Sequence, residues 1–268
     1  MISDSLRGEL VATANAAADA ARLAILPYFR NAGLSAENKL DAGFDPVTEA
    51  DCAAERAMRD VLAKRRPDDG ILGEEYGSQS GITGLTWILD PIDGTRAFLA
   101  GTPTWGVLIA VSTKDGPIYG IIDQPFIGER FCGGFGDALY QGPLGSYPLK
   151  TRPSRELSQS LLFTTFPEVG SATERAGFEA VAQGVRLVRY GMDCYAYGLV
   201  AAGQVDLVIE AGLAAHDISA PIAVIEAAGG VVTDWHGNPV HDGGRAVAAA
   251  SREQHTRALT LLAPFADG

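Results

Sequence analysis

Several features are scarce in this chain of 268 residues, and each scarcity removes a class of protein. No apolar run approaches the roughly 18 residues needed to cross a bilayer. The opening residues, MISDSLRGEL, lack a basic start followed by an apolar signal core, so no membrane partner is expected and the expected location is the cytoplasm. Cysteine is limited to Cys52, Cys132 and Cys194, with no CxxC pair, which argues against a disulfide framework and against a thiolate zinc site. The histidines His216, His236, His241 and His255 lack the HExxH spacing that places two imidazoles on one metal. Basic residues are outnumbered, 21 Lys and Arg against 33 Asp and Glu, for a formal net charge of −12. Such a chain repels a polyphosphate backbone, so small ligands rather than nucleic acid are the expected partners.

What is present is an ordinary globular balance, 47% hydrophobic and 20% charged, enough for one large domain or two closely packed halves. Leu6, Leu10, Ala14, Ala17, Ala21, Ala24 and Tyr28 recur at three- and four-residue steps, which predicts a helix over residues 4–30. A second helix is expected from Thr48, where Thr48 and Asp51 fit a capping box, to the stop at Arg65, Arg66 and Pro67. From Gly70 to about Gly142 short apolar strands punctuated by glycine predict an antiparallel meander, with a hairpin turn at Lys114, Asp115 and Gly116. The stretch QGPLGSYPLKTRPSREL reads as a loop. After it, strand and helix patterns alternate from LLFTTF to VVTDW, which implies crossover connections and a sheet covered by helices. A soft boundary near residue 150 therefore separates an N-terminal α+β half, 1–150, from a C-terminal α/β half, 151–268.

Three acidic sites stand out: Glu74 with Glu75 in ILGEEYG, Asp90 with Asp93 in WILDPIDGT, and Asp217 in AHDISAP. In the first two, carboxylates follow apolar strand residues directly, where unpaired charge is costly. Few basic residues lie nearby in sequence, and hard divalent ions take oxygen ligands together with water and substrate phosphate. A metal site follows as the expectation. Pro91 restricts the turn so that Asp90 and Asp93 can converge, and Gly94 lets the N–H groups of residues 94 and 95 approach a phosphate oxygen. An isolated Asp-Gly pair marks a surface turn, but DPIDGT with GEE upstream is a larger bundle than a turn requires. The spacing fits neither DxDxT, whose acids are two apart, nor an EF-hand, which needs acids where Ile92 and Gly101 stand.

DPIDGT and GEEYG, with DPVTEAD at 45–51 and HDISAPIAVIEAAGG at 216–230, resemble the inositol monophosphatase-like family of metal-dependent phosphatases. The motifs are specific, occur in the family's order and cover most of the chain. The resemblance implies a layered αβαβα sandwich and two or three Mg²⁺ ions held by Glu74, Asp90, Asp93, Asp217 and the carbonyl of Ile92. It further implies that Asp45 pairs with Thr95 and that Glu74 and Thr95 position the attacking water. The family usually has an aromatic residue before the last metal-binding aspartate and a small apolar one two positions after it; here these are His216 and Ser219.

Within the family, RAFLAGTPTWGVLIA, IIDQPFIGERF and RYGMDCYAYGLVAAGQVDLVIEAG look most like the histidinol-phosphate phosphatases of histidine biosynthesis. The implied substrate carries an ammonium and an imidazole, groups that carboxylates bind. The substrate-facing set is then Asp93, Gly94 and Thr95 at the phosphate, with Asp193, Glu210 and Arg189 around the rest. Asp193 is equally readable as the N-cap of the helix after it, and Arg189 as a structural ion pair. Tyr190, Tyr195 and Tyr197 read as packing residues rather than a stacking cage, and Arg96 is left open between phosphate and surface. Inositol monophosphate and 3′-phosphoadenosine 5′-phosphate are the alternative substrates, and a noncatalytic metal- or ligand-binding module is the reading from another class. The resemblance also implies a possible homodimer.

Overall fold

A computed structural model of the chain describes residues 2–31, 36–38 and 46–267. Helix α1 (Asp4–Ile25) leads to a short antiparallel ribbon, β1 (Ala36–Asn38) and β2 (Pro46–Thr48), and then to α2 (Glu49–Arg65). The first large sheet follows: β3 (Gly70–Gly73), β4 (Gly77–Gln79), β5 (Thr86–Asp93), the short helix α3 (Thr95–Ala100), β6 (Gly106–Thr113), β7 (Gly116–Gln124), β8 (Glu129–Gly134), β9 (Asp137–Gly142) and β10 (Gly145–Pro148). Its strand order is β10-β9-β8-β7-β6-β5-β3-β4. The second sheet is built from β11 (Leu161–Thr164), β12 (Leu187–Tyr190), β13 (Leu207–Ala214), β14 (Val231–Thr233) and β15 (Gly243–Ala249), in the order β12-β11-β13-β15-β14. Its helices are α4 (Ala172–Ala182), α5 (Tyr195–Ala201), α6 (Ala215–Ala227) and α7 (Arg252–Leu262).

Strand side chains alternate between faces, and here that alternation assigns residues to separate cores. Trp87 and Leu89 of β5 pack with Leu10 and Ala14 of α1 and Met58 of α2, whereas Ile88 between them joins Ile218 and Val224 of α6. In β13, Val208 belongs to that same middle core, while Leu207 and Ile209 pack with Phe178 of α4 and Leu262 of α7. The layers are therefore α1/α2, first sheet, α5/α6, second sheet and α4/α7: an αβαβα sandwich, as the resemblance implies. Because both faces of each sheet are covered, strands such as GVLIAVST read as continuous apolar runs. Among the described residues, no helix is long and apolar enough to cross a membrane.

Local expectations are met in part. The capping box forms, with the Thr48 N–H donating to Asp51 Oδ2 at 2.8 Å, and β6 and β7 form the expected hairpin. Helix α1, however, ends at Ile25 rather than near residue 30: Leu26 keeps helical backbone and donates to the Arg22 carbonyl, but Pro27 supplies no N–H to continue the ladder. The first sheet is not wholly antiparallel: β3 runs parallel to β5. The stretch read as a loop contains strand: β10 pairs antiparallel with β9 through a tight turn at Pro143 and Leu144. The second sheet is mixed, β11 lying parallel to β12 and β13 while β15 is antiparallel to its neighbours. Helix α6 begins at Ala215, so Asp217 sits in its first turn.

Candidate active site

The parallel pairs β3/β5 and β11/β13 end beside one cleft, the position where open α/β sheets present ligand sites. The cavity measures about 250 Å³. Glu74 enters it from the end of β3, Asp90, Ile92 and Asp93 from the end of β5, Thr165 and Phe166 from beyond β11, Glu210 from β13 and Asp217 from α6.

The motif at the end of β5 owes its shape to a break in pairing. Asp90 faces Leu108 and Asp93 faces Gly106 across β6, so the register shifts between them, at the Pro91 that cannot donate to a ladder. Gly94 then takes a left-handed φ of 83°, and a Cβ there would lie 2.7 Å from Asp193 Cγ. Two constraints thus require glycine at one position. The Thr95 hydroxyl donates to the Ile92 carbonyl at 3.1 Å, closing the turn.

Glu74 is aimed by a residue that sequence patterning did not single out. Glu55 of α2, fully buried, accepts the Glu75 N–H at 2.7 Å, the Tyr76 N–H at 3.2 Å and the Arg59 Nε–H at 2.8 Å, while the Glu74 N–H donates to the Leu89 carbonyl at 3.1 Å. Removing that carboxylate leaves two turn amides and the Arg59 Nε–H without their acceptor, although the guanidinium still donates to the Gly77 carbonyl. Glu55→Ala is expected to lower unfolding free energy by about 3 kcal/mol in chemical denaturation; a loss under about 0.5 kcal/mol would show that the turn is held by other contacts.

A long-range bond ties the end of β5 to the segment before α5: Asp93 Oδ2 accepts the Cys194 N–H at 2.6 Å. Asp193, with a left-handed φ of 47°, accepts the Thr104 hydroxyl at 2.7 Å and lines the cleft. It does not cap α5: the residue at that cap is Cys194, with no side-chain capping bond. Glu210 accepts the Thr165 N–H and hydroxyl at 2.8 and 2.9 Å and the Thr164 hydroxyl at 3.2 Å. Burial pushes its carboxyl up to about 7.

The remaining expected residues fall in different places. Arg189 is exposed on the edge strand β12 and does not line the cleft. Arg96 does line it, with its guanidinium 4.8 Å from the centre of the Phe166 ring. Ser219 is fully buried and donates to the His241 carbonyl at 3.4 Å. Tyr195 donates to Glu129 at 2.7 Å, and Tyr197 is buried in the middle core. Asp45 lies outside the described residues. Thr165 and Phe166 were not singled out by the sequence motifs, although their place directly after the apolar strand β11 and ahead of α4 was a usable signal.

Electrostatically the cluster is frustrated. One carboxylate oxygen from each of Asp90, Asp93 and Asp217 lies within 4.8 Å of the others. Burial, and then the neighbouring charges of Glu74, Asp93 and Asp217, raise the Asp90 carboxyl well above its ordinary value; burial followed by Asp193 and Asp217 does the same to Asp93. Asp90 Oδ1 is buried without a hydrogen-bond partner among the described residues. Crowded hard oxygen donors, one buried with an orphaned lone pair and two half-buried, form a set that suits a divalent cation.

Residues 7–264 match the family model described as the inositol monophosphatase family. The chain belongs to the inositol monophosphatase family. This makes it a member of a family of metal-dependent phosphatases, and the acidic cluster is a set that could bind the metal. Among family members, the bifunctional phosphatase IMPL2, chloroplastic, of Arabidopsis thaliana is 39% identical over 97% of this chain and 77% of its own length. A histidinol-phosphatase of Mycobacterium tuberculosis is 36% identical over 81% of this chain and 84% of its own. The solved structure of an inositol monophosphatase from Zymomonas mobilis superposes with a TM-score of 0.85 at 35% identity, covering 98% of this chain and 100% of that one.

Proposed function

We propose that this family member is a Mg²⁺-dependent phosphomonoesterase that hydrolyses L-histidinol phosphate to L-histidinol and inorganic phosphate. The observation that carries the substrate is the pair Asp193 and Glu210, two carboxylates that line the cleft and belong to neither metal-ligand group. An ammonium and an imidazole need such acceptors, whereas a polyol is served by neutral partners. The similarity to the Mycobacterium tuberculosis histidinol-phosphatase supports the same choice.

Glu74, Asp90, Asp93, Asp217 and the Ile92 carbonyl would hold two or three ions. Bound there, Mg²⁺ lowers the pKa of the attacking water and neutralises the phosphoryl and departing oxygens. Glu74 and the Thr95 hydroxyl orient that water, the N–H groups of Gly94 and Thr95 receive a phosphoryl oxygen, and Asp193 and Glu210 hold the cationic end so that the ester lies in line. Phe166 and Arg96, in contact with each other, line the same cleft.

The test compares kcat/KM for phosphate release in Mg²⁺ from L-histidinol phosphate, myo-inositol 1-phosphate and 3′-phosphoadenosine 5′-phosphate. A preference for histidinol phosphate on the order of tenfold or more, about 1.4 kcal/mol, is expected. Preference for either other ester would reject the substrate and keep the phosphatase; no release from any of them, with or without Mg²⁺, would favour a noncatalytic binding module.

A further inference from the structure

His216 occupies the first turn of α6 immediately before Asp217. Its imidazole faces the acidic cluster: Nε2 is 3.6 Å from Asp217 Oδ1, and one ring nitrogen lies with oxygens of Glu74 and Asp90 in a group whose members are all within 4.8 Å of one another. Asp90 belongs both to this group and to the all-oxygen group with Asp93 and Asp217. Its Oδ1 is the buried atom left without a hydrogen-bond partner among the described residues, on a side chain 1% exposed. A buried carboxylate with one orphaned oxygen, grouped with a ring nitrogen and a second carboxylate, marks a place for a cation.

The two groups differ in donor chemistry. Mg²⁺ takes oxygen ligands and keeps several waters, whereas imidazole suits first-row transition ions. We propose that Glu74, Asp90 and His216 form a mixed nitrogen and oxygen site for a borderline divalent ion such as Mn²⁺, adjoining the all-oxygen set of Asp90, Asp93 and Asp217. This rests on reading the acidic cluster as a metal centre. His216 thereby supplies a metal ligand and shifts the preference of one position away from Mg²⁺.

Mn²⁺ is also a paramagnetic probe, so the ligand can be observed directly. The full chain is loaded with Mn²⁺, and pulsed electron paramagnetic resonance is used to detect ¹⁴N coupling from a bound imidazole. His236 lies beside Asp267 at 3.5 Å, His241 beside Asp242 at 3.9 Å, and His255 Nε2 is 2.8 Å from the Thr233 hydroxyl; none is in either ligand group, so the coupling can be assigned. The expected result is ¹⁴N coupling in the wild type, its loss in His216→Phe and His216→Gln, and a Kd for Mn²⁺ weakened on the order of tenfold while the Kd for Mg²⁺ moves much less. Bound Mn²⁺ without ¹⁴N coupling in the wild type overturns the proposal whatever the variants do, as does coupling that persists in a folded variant. Failure of the wild type to bind Mn²⁺ or Mg²⁺ at all overturns the metal centre itself and this site with it.

Discussion

Asp90→Asn is expected to lower Mg²⁺-dependent kcat/KM on the order of a thousandfold, about 4 kcal/mol of transition-state stabilisation, while making the ion-free protein more stable at pH 8. The two effects have one cause. Asp90 is 1% exposed, its Oδ1 has no hydrogen-bond partner among the described residues, and it shares its surroundings with Glu74, Asp93 and Asp217. Folding raises its pKa above the ordinary 3.8, so the folded state holds a proton that the unfolded chain releases. Stability of the ion-free wild type therefore falls as pH rises above that value, and continues to fall until the raised folded pKa is passed. The asparagine variant has no such proton at this position and escapes that part of the fall.

A divalent ion reverses the order. Ligand at about 100 times its Kd adds about 3 kcal/mol to the folded state, a shift on the order of 5–10 °C for a chain of this size. Thermal melts at pH 8 with and without Mg²⁺ should then show the wild type gaining that increment and Asp90→Asn gaining little. An equal Mg²⁺-induced shift in the two proteins, together with equal phosphate release, would remove Asp90 from the metal centre.

The parts of this molecule that a reader of the sequence can see are those encoded within one segment. Asp90 and Asp93 are three residues apart, and the register break between them falls at Pro91 with the Gly94 turn directly after, so their convergence is a local matter. The capping box of Thr48 and Asp51 is local in the same way. The continuous apolar runs of β5 and β13 announce two buried faces, but which strand lies beside which is a non-local choice, and the parallel pairing of β3 with β5 is hidden for that reason. Arg189 and Glu210 illustrate the difference. Both sit on strands of the second sheet, yet β12 is its edge and β13 is interior, so one side chain is exposed while the other is buried against Thr164 and Thr165. Asp193 is readable from its neighbours equally as a substrate contact and as a helix cap, but its partner Thr104 lies 89 positions away. Glu55 carries no motif and becomes meaningful only when the GEEYG turn is folded onto α2.

Glu210→Gln should separate binding of a cationic substrate from the cost of keeping its partner charged. Glu210 is 7% exposed, and burial lifts its carboxyl from 4.5 to about 7 despite the hydrogen bonds from Thr165 and Thr164. A raised carboxyl makes ionisation unfavourable to folding: nothing is lost below pH 4.5, the penalty grows between 4.5 and 7, and above 7 it levels at roughly 3 kcal/mol. Glutamine keeps an oxygen for the Thr165 N–H and hydroxyl and carries no charge. The variant should therefore unfold with more free energy than the wild type at pH 8, by up to roughly 3 kcal/mol, and with no advantage near pH 4. Its catalysis should move the other way. Loss of a charge-assisted bond worth about 1.5–3 kcal/mol lowers kcat/KM for histidinol phosphate on the order of 10- to 100-fold. For myo-inositol 1-phosphate, which offers no cation, the change should be several times smaller. In the wild type, kcat/KM for histidinol phosphate should rise with pH through about 7 as Glu210 ionises, and that limb should vanish in the variant. A variant more stable at pH 8 but equally impaired towards both esters would leave Glu210 as a strained structural acid and transfer selection of the cationic end to Asp193.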